Sequence, residues 1–153
     1  MTLANLLSVN QIIPDLQARE RWPAILELVE RLVSSGLVEP ADKEGILRAL
    51  ELREQTMSTG IGFGIAIPHA SSDRVNRVVA AFGRSKHGIE FGSLDNVPVQ
   101  FIVMFVVPKD QFQIHLRTLA AIAKFLNDRG VRERLSTAES PEDILKIFQV
   151  PGR

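Results

Sequence analysis

The sequence predicts an α/β protein, a three-layer α/β/α sandwich with a mixed β-sheet. Three observations carry this expectation. The run Phe101-Ile102-Val103-Met104-Phe105-Val106-Val107 is apolar at every position, as in a strand covered on both faces. Two stretches with apolar residues at helical spacing precede the strand-rich part, at about 19–35 and 42–55. About three more helices come after it, at about 111–127, 131–135 and 141–148. Helices before and after a block of strands must bury their apolar stripes, and the two faces of one sheet accommodate both sets.

Within 6–16, Ile12-Ile13-Pro14 reads as a short edge strand, where proline is tolerated. The first long helix places Trp22, Ile25, Leu26, Val29, Leu32 and Val33 at helical spacing, with Pro23 in its first turn and Gly36 as its stop. In the second, Ile46, Leu50 and Arg53 fall at i, i+4 and i+7 and share a face. An arginine at the C-terminal end of a core-facing stripe is either a snorkelling cation that favours the helix dipole or an anion-binding group aimed at the glycine-rich segment beyond the helix. Met57-Ser58-Thr59 brings hydroxyls close to the same place.

The glycine-rich segment is Gly60-Ile61-Gly62-Phe63-Gly64-Ile65-Ala66-Ile67-Pro68-His69-Ala70. Its alternate glycines allow close approach of backbone to backbone or to a ligand. Ile65 to Ile67 is expected as a short buried strand stopped by Pro68, with His69 presented where the chain leaves the sheet and Ser71-Ser72-Asp73 forming a polar turn. A strand from Val75 to Phe82 should end at Gly83, Lys86-His87-Gly88 should turn, and Ile89-Glu90-Phe91 should form a short strand. Asp95-Asn96 marks another turn, and the central strand spans Val97 to Val107 with Pro108 ending it. Asp110 is expected to cap the next helix, with Gln113 at N3. That helix should bury Phe112, His115, Leu116, Leu119, Ala123 and Leu126. Ser140 and Pro141 provide the N-cap and N1 of the last helix.

Composition narrows the function. At 153 residues, the chain is expected to form one domain over 1–153. Zero formal net charge argues against nucleic-acid binding and against a polybasic membrane anchor. The absence of cysteine excludes disulfides, thiolate metal sites and cysteine nucleophiles, and fits a cytoplasmic setting. The N-terminal residues lack a basic, then apolar, leader, and no apolar run is long enough to span a bilayer. No metal or cofactor is expected: there is no His-Glu-x-x-His pair, no Gly-x-Ser-x-Gly elbow and no P-loop, and the glycine spacing at 60–64 is not that of a dinucleotide fingerprint.

Of the three histidines, His87 lies in a basic turn, whereas His69 and His115 can meet at one sheet edge. Two imidazoles, Arg53 and several hydroxyls suit a phosphoryl group. Imidazole is nucleophilic near neutral pH, and phosphoryl transfer needs positioning and charge neutralisation. Taken alone, each histidine can also be a core residue.

Glu54, Ile61, Gly62 and Ile65-Ala66-Ile67-Pro68-His69-Ala70 resemble the signature of the type-2 EIIA domains of the bacterial phosphoenolpyruvate-dependent phosphotransferase system. The likeness extends to Leu52-Arg53-Glu54, Ser58-Thr59-Gly60, Phe91, Leu94 to Val99, His115-Leu116 and Leu119. It implies a mixed sheet flanked by helices. It also implies that His69 accepts a phosphoryl group on Nε2 from an HPr-type phosphohistidine carrier, with His115 as second active-site histidine and Arg53 stabilising phosphate. Ser58, Thr59, Gly64, Ala70 and Ser71 are expected to support the phosphate. Phe63 and Ala70 depart from the pattern, which has a small or polar residue and a glycine there. Gly83-Arg84-Ser85-Lys86 with Gly88-Ile89-Glu90-Phe91 resembles the nitrogen-regulatory members. The sugar-specific alternative passes phosphate to an EIIB domain, and a third reading is a binding module that keeps the fold without the chemistry.

Overall fold

The computed structural model describes residues 3–56 and 58–149; Met57 lies outside them. A short helix α1 (Leu3–Leu6) and strand β1 (Ile12–Ile13) open the chain, followed by helices α2 (Arg21–Ser34) and α3 (Lys43–Thr56). Strands β2 (Gly60–Gly62), β3 (Ile65–Ala66), β4 (His69–Ser72), β5 (Val79–Ile89) and β6 (Val99–Pro108) come next. Helices α4 (Phe112–Leu126), α5 (Arg129–Thr137) and α6 (Pro141–Phe148) complete the order.

The sheet order is β1-β5-β6-β3-β2, with β4 also on β6. β1 runs parallel to β5, β5 antiparallel to β6, β3 and β4 parallel to β6, and β2 antiparallel to β3. The sheet is therefore mixed, and β6 is its centre. Alternation along β6 splits the core. Ile102, Met104 and Val106 pack with Ile25, Leu28, Leu32, Ile46 and Leu50 of α2 and α3. Phe101, Val103, Phe105 and Val107 pack with Ile122, Phe125, Leu135, Ile144 and Phe148 of α4, α5 and α6. This is the three-layer arrangement that the doubly apolar strand requires.

Several local expectations hold. Ile12-Ile13 is an edge strand, and Gly36 closes α2 at φ 82°. Ser140 caps α6 by accepting the Asp143 N–H. Four differ. The chain does not leave the sheet at His69: Ser71 and Ser72, expected in a turn, pair with Val107 and Pro108 in β4. Backbone pairing along the long β6 overrides the polarity of the side chains. β5 starts at Val79 and runs through Gly83 and the expected turn at Lys86-His87-Gly88 to Ile89, with a register shift between Arg84 and Ile89. Gly83 is a packing site rather than a stop, because a Cβ there would meet the Leu16 side chain at 2.9 Å. Asp110 sits in a single 3-10 turn, Lys109–Gln111, so Gln111 takes the N-cap position of α4 with no side-chain hydrogen bond. On α4, Leu116 is exposed, while Ile122 and Phe125 carry the burial together with His115 and Leu126.

Arg84 of β5 is buried and ties the sheet to the last layer. Its Nε donates to the Pro14 carbonyl, and its NH1 group donates to the carbonyls of Leu135 and Ala138 at the end of α5. Replacing it removes a charged donor from three carbonyls at once. We expect Arg84→Met to cost on the order of 3 kcal/mol, read as a lower urea midpoint with an unchanged slope.

Candidate active site

Pro68 has no N–H, so the β3–β4 edge is interrupted at Ile67-Pro68 and resumes at His69. The Pro68 carbonyl still accepts the Phe105 N–H, which keeps the chain on β6 through the break. His69 pairs with Phe105 and is half-buried. Its ring stacks on Phe112 at the start of α4, with centroids 6.2 Å apart and planes 22° apart. Nδ1 lies 2.8 Å from the Ile67 carbonyl oxygen. A carbonyl can only accept, so Nδ1 carries the proton, and the neutral ring presents an unprotonated Nε2.

A cavity of about 500 Å³ opens beside this ring, lined by Arg53, Ser58, Thr59, Ile67, His69, Leu94 and Leu119 among others. Arg53 comes from the last turn of α3, as the i, i+4, i+7 spacing placed it. Burial is the main cause that pulls the His69 pKa below its ordinary value of 6.5, and Arg53 adds to the lowering. The Ile67 hydrogen bond and the Glu54 charge act in the opposite direction.

The other anticipated residues divide. The Ser58 hydroxyl donates to the Phe91 carbonyl and accepts the Gly60 N–H. The Thr59 hydroxyl donates to the buried Glu54 carboxylate. Both residues line the cavity, but their hydroxyl protons are engaged inside the protein. Ala70 directs its methyl into the core against α2 and α3, on the opposite sheet face from His69, so only its backbone can face a ligand. Ser71 shares the His69 face. Gly64, in the turn before β3, adopts φ 78° and accepts the N–H groups of Gln100 and Phe101 of β6, and it does not line the cavity. His115 is buried one turn after Phe112 on α4, and its Nδ1 has no hydrogen-bond partner among the described residues. It does not line the cavity. Among the described residues, no three His, Cys, Asp or Glu side chains gather as metal ligands would.

Sequence reasoning left three features without a role. Glu54 continues the Ile46, Leu50 stripe at i+8, a spacing that marks it as buried. Phe63 has φ 58°, donates its N–H to Asp95 Oδ2, and lies under the Arg132 guanidinium at 5.0 Å, beside a different cavity. The third is a set of exposed apolar side chains. Among the described residues these are Leu52, Ile61, Phe63, Leu94, Val97, Ile114 and Leu116. They sit on α3, on β2 and the turn after it, on the 94–97 segment and on α4, and two of them, Ile61 and Leu94, line the cavity.

Residues 5–150 match the family described as "Phosphoenolpyruvate-dependent sugar phosphotransferase system, EIIA 2". The chain belongs to this family. A fructose-specific EIIA component of Haloferax volcanii is 38% identical over 125 residues, covering 82% of this chain and 80% of that protein. A nitrogen regulatory protein of Escherichia coli is 37% identical over 124 residues, covering 80% and 75%. The crystal structure of nitrogen regulatory protein IIA-Ntr from Neisseria meningitidis superposes with a TM-score of 0.86 at 28% identity, over 95% of this chain and 98% of that one. The mannitol IIA of Escherichia coli, solved in complex with its phosphorylated enzyme IIB, gives 0.79 at 25% identity, over 96% and 98%. The EIIA family are phosphotransfer proteins, and this chain shares their fold.

The lowered His69 value has a signed consequence for pH. The unfolded chain binds the proton more readily than the folded one, so stability that is intact above pH 6.5 falls as pH drops through 6.5 towards the lowered value. An imidazole titration by NMR should find His69 below 6.5. In Arg53→Gln the midpoint should rise, because a cation that opposes protonation is gone. An unchanged midpoint would place Arg53 out of reach of the ring in solution.

Proposed function

We propose that His69 accepts a phosphoryl group on Nε2 from a phosphohistidine of an HPr-type carrier, and that the phosphorylation state of this site acts as a nitrogen or metabolic signal. The observation that carries this reading is the fixed tautomer: Nδ1 is tied to the Ile67 carbonyl, and Nε2 is left as the nucleophile beside Arg53. The Nε2 lone pair attacks phosphorus, the P–N bond of the donor breaks, and its electron pair returns to the donor imidazole. The phosphorylated ring keeps its Nδ1 proton and becomes cationic, with the Ile67 carbonyl as partner. Arg53 offsets the charge of the phosphoryl oxygens. His115, on the same helical face as Phe112, is the second histidine of the site in this reading.

Ile61 and Leu94, exposed apolar residues at the cavity, support docking of a partner protein over it, since exposed apolar surface marks interaction sites. In this reading residues 1–153 act as an EIIA domain, and the protein works in the cytoplasm. No helix among the described residues is long and apolar enough to cross a membrane. The nitrogen-regulatory reading is supported by the likeness to IIA-Ntr and by the residues of β5 around Arg84 and Gly88. The sugar-specific reading, with onward transfer to an EIIB domain, is supported by the fructose-specific relative and by the mannitol IIA–IIB pair.

Incubation with phosphoenolpyruvate, the general phosphotransferase enzyme and its carrier should give one acid-labile phosphate, absent in His69→Ala. No label on the wild type would leave a binding module as the reading, and full label on His69→Ala would overturn the site. Onward transfer of that label to an EIIB cysteine would favour the sugar-specific branch. Leu94 is 92% exposed, so Leu94→Asp should leave stability unchanged while raising the KM for the carrier about tenfold.

A further inference from the structure

We propose that Glu54 is a positioning residue for phosphoryl transfer: through Thr59 and Ile67 it holds the His69 ring in the orientation and tautomer that leave Nε2 as the nucleophile. This rests on the reading of His69 as the phosphoryl acceptor.

The connection is a continuous series of hydrogen bonds. Glu54 Oε2 accepts the Thr59 N–H at 2.9 Å, and Oε1 accepts the Thr59 hydroxyl. The Thr59 carbonyl accepts the Ile67 N–H at 3.0 Å. The Ile67 carbonyl accepts His69 Nδ1–H at 2.8 Å. Glu54 thus fixes both polar ends of Thr59 that face it, Thr59 fixes Ile67, and Ile67 fixes the ring. Glu54 itself does not line the cavity.

One ion pair to the carboxylate, and two hydrogen bonds to a shared carbonyl beside it, make it a rigid anchor. Arg21 NH1 lies 3.6 Å from Glu54 Oε2 and also donates to the Phe91 carbonyl. The Ser58 hydroxyl donates to that same carbonyl. Glu54 therefore clamps the end of α3 to the 58–60 segment and to α2. Arg53 is its chain neighbour in the last turn of α3.

The position argues against a purely structural role. Glu54 occupies the apolar stripe of Ile46 and Leu50, and its side chain is 0% exposed. A leucine would fill the stripe without the cost of burying a charge. The negative charge also acts on His69 from behind the cavity wall, since it opposes Arg53 in its effect on the His69 proton. In the phosphorylated state, when the ring is cationic, the same charge favours keeping the Nδ1 proton in place.

The test compares Glu54→Leu, Glu54→Gln and Thr59→Val with the wild type. Two-bond ¹⁵N–¹H correlation of the imidazoles at pH 8 reads the tautomer of His69, and transfer from phosphorylated HPr-type carrier reads kcat and KM. The wild type should show the Nδ1–H form. Glu54→Leu should show both tautomers, with kcat reduced roughly 10- to 100-fold and KM within about twofold. Glu54→Gln, whose amide oxygen can still accept the Thr59 N–H, should recover most of both. Thr59→Val, which removes one of the two links, should shift the tautomer in the same direction to a smaller extent. A folded Glu54→Leu with the single Nδ1–H tautomer and kcat within about twofold of the wild type overturns the proposal. If Glu54→Leu does not fold, an unshifted tautomer in Thr59→Val overturns it. If the wild type takes no phosphoryl group, the acceptor reading falls, while the tautomer comparison needs no donor and still decides whether Glu54 orients His69.

Discussion

The architecture of this site depends on a gap in a hydrogen-bond ladder. β3 and β4 lie on the same flank of β6, pairing with Phe101-Ile102 and with Phe105 to Pro108, and would read as one strand but for Ile67-Pro68. Proline cannot donate, so the ladder opens for one step. The carbonyl of Ile67 then accepts from the side chain two residues ahead. The histidine stays within the sheet, with its backbone fixed by Phe105, and its ring is braced between that carbonyl and Phe112. A group on a rigid strand gives better geometric control than one on a loop.

Part of the cavity wall comes from β2 and the 92–94 segment, and the stretches that continue from them stabilise one another. Asp95 accepts the N–H of Phe63 with one carboxylate oxygen and that of Val97 with the other. These hydrogen bonds hold its pKa below the ordinary carboxylate range. Gly60 sits against Ser93 so closely that a Cβ would lie 2.2 Å from the hydroxyl oxygen. The alternating glycines therefore serve loop-to-loop contact more than ligand approach. Their packing presents Ile61 and Leu94 at the mouth of the cavity. A partner meeting such a preformed surface loses less conformational entropy on ordering it.

How much of this was legible in the sequence depends on the forces each residue competes with. The layers were legible because apolar periodicity reflects burial directly, and α6 with its Ser140 cap obeys local rules alone. β4 was hidden because Ser71 and Ser72 are polar, and only the length of β6 shows that their backbone has a partner. Gly83 looked like punctuation because its neighbour Leu16 lies far earlier in the chain. In the site, His69 and Arg53 could be placed from spacing and from family likeness. The engagement of the Ser58 and Thr59 hydroxyls could not, since it depends on Phe91 and Glu54 arriving from other elements. Glu54 was within reach: the 46, 50, 54 stripe is as regular as the 46, 50, 53 one, and a charged residue on it is the anomaly to explain.

The buried network also reaches the chain's sole tryptophan. The guanidinium of Arg21, which faces Glu54 and the Phe91 carbonyl, lies 4.4 Å from the centre of the Trp22 ring. A cation at that distance perturbs an indole's excited state. Events at the end of α3 are therefore coupled to an intrinsic chromophore on α2. The intrinsic emission of the unlabelled protein becomes a built-in optical gauge of whether the anchor behind the histidine is in place.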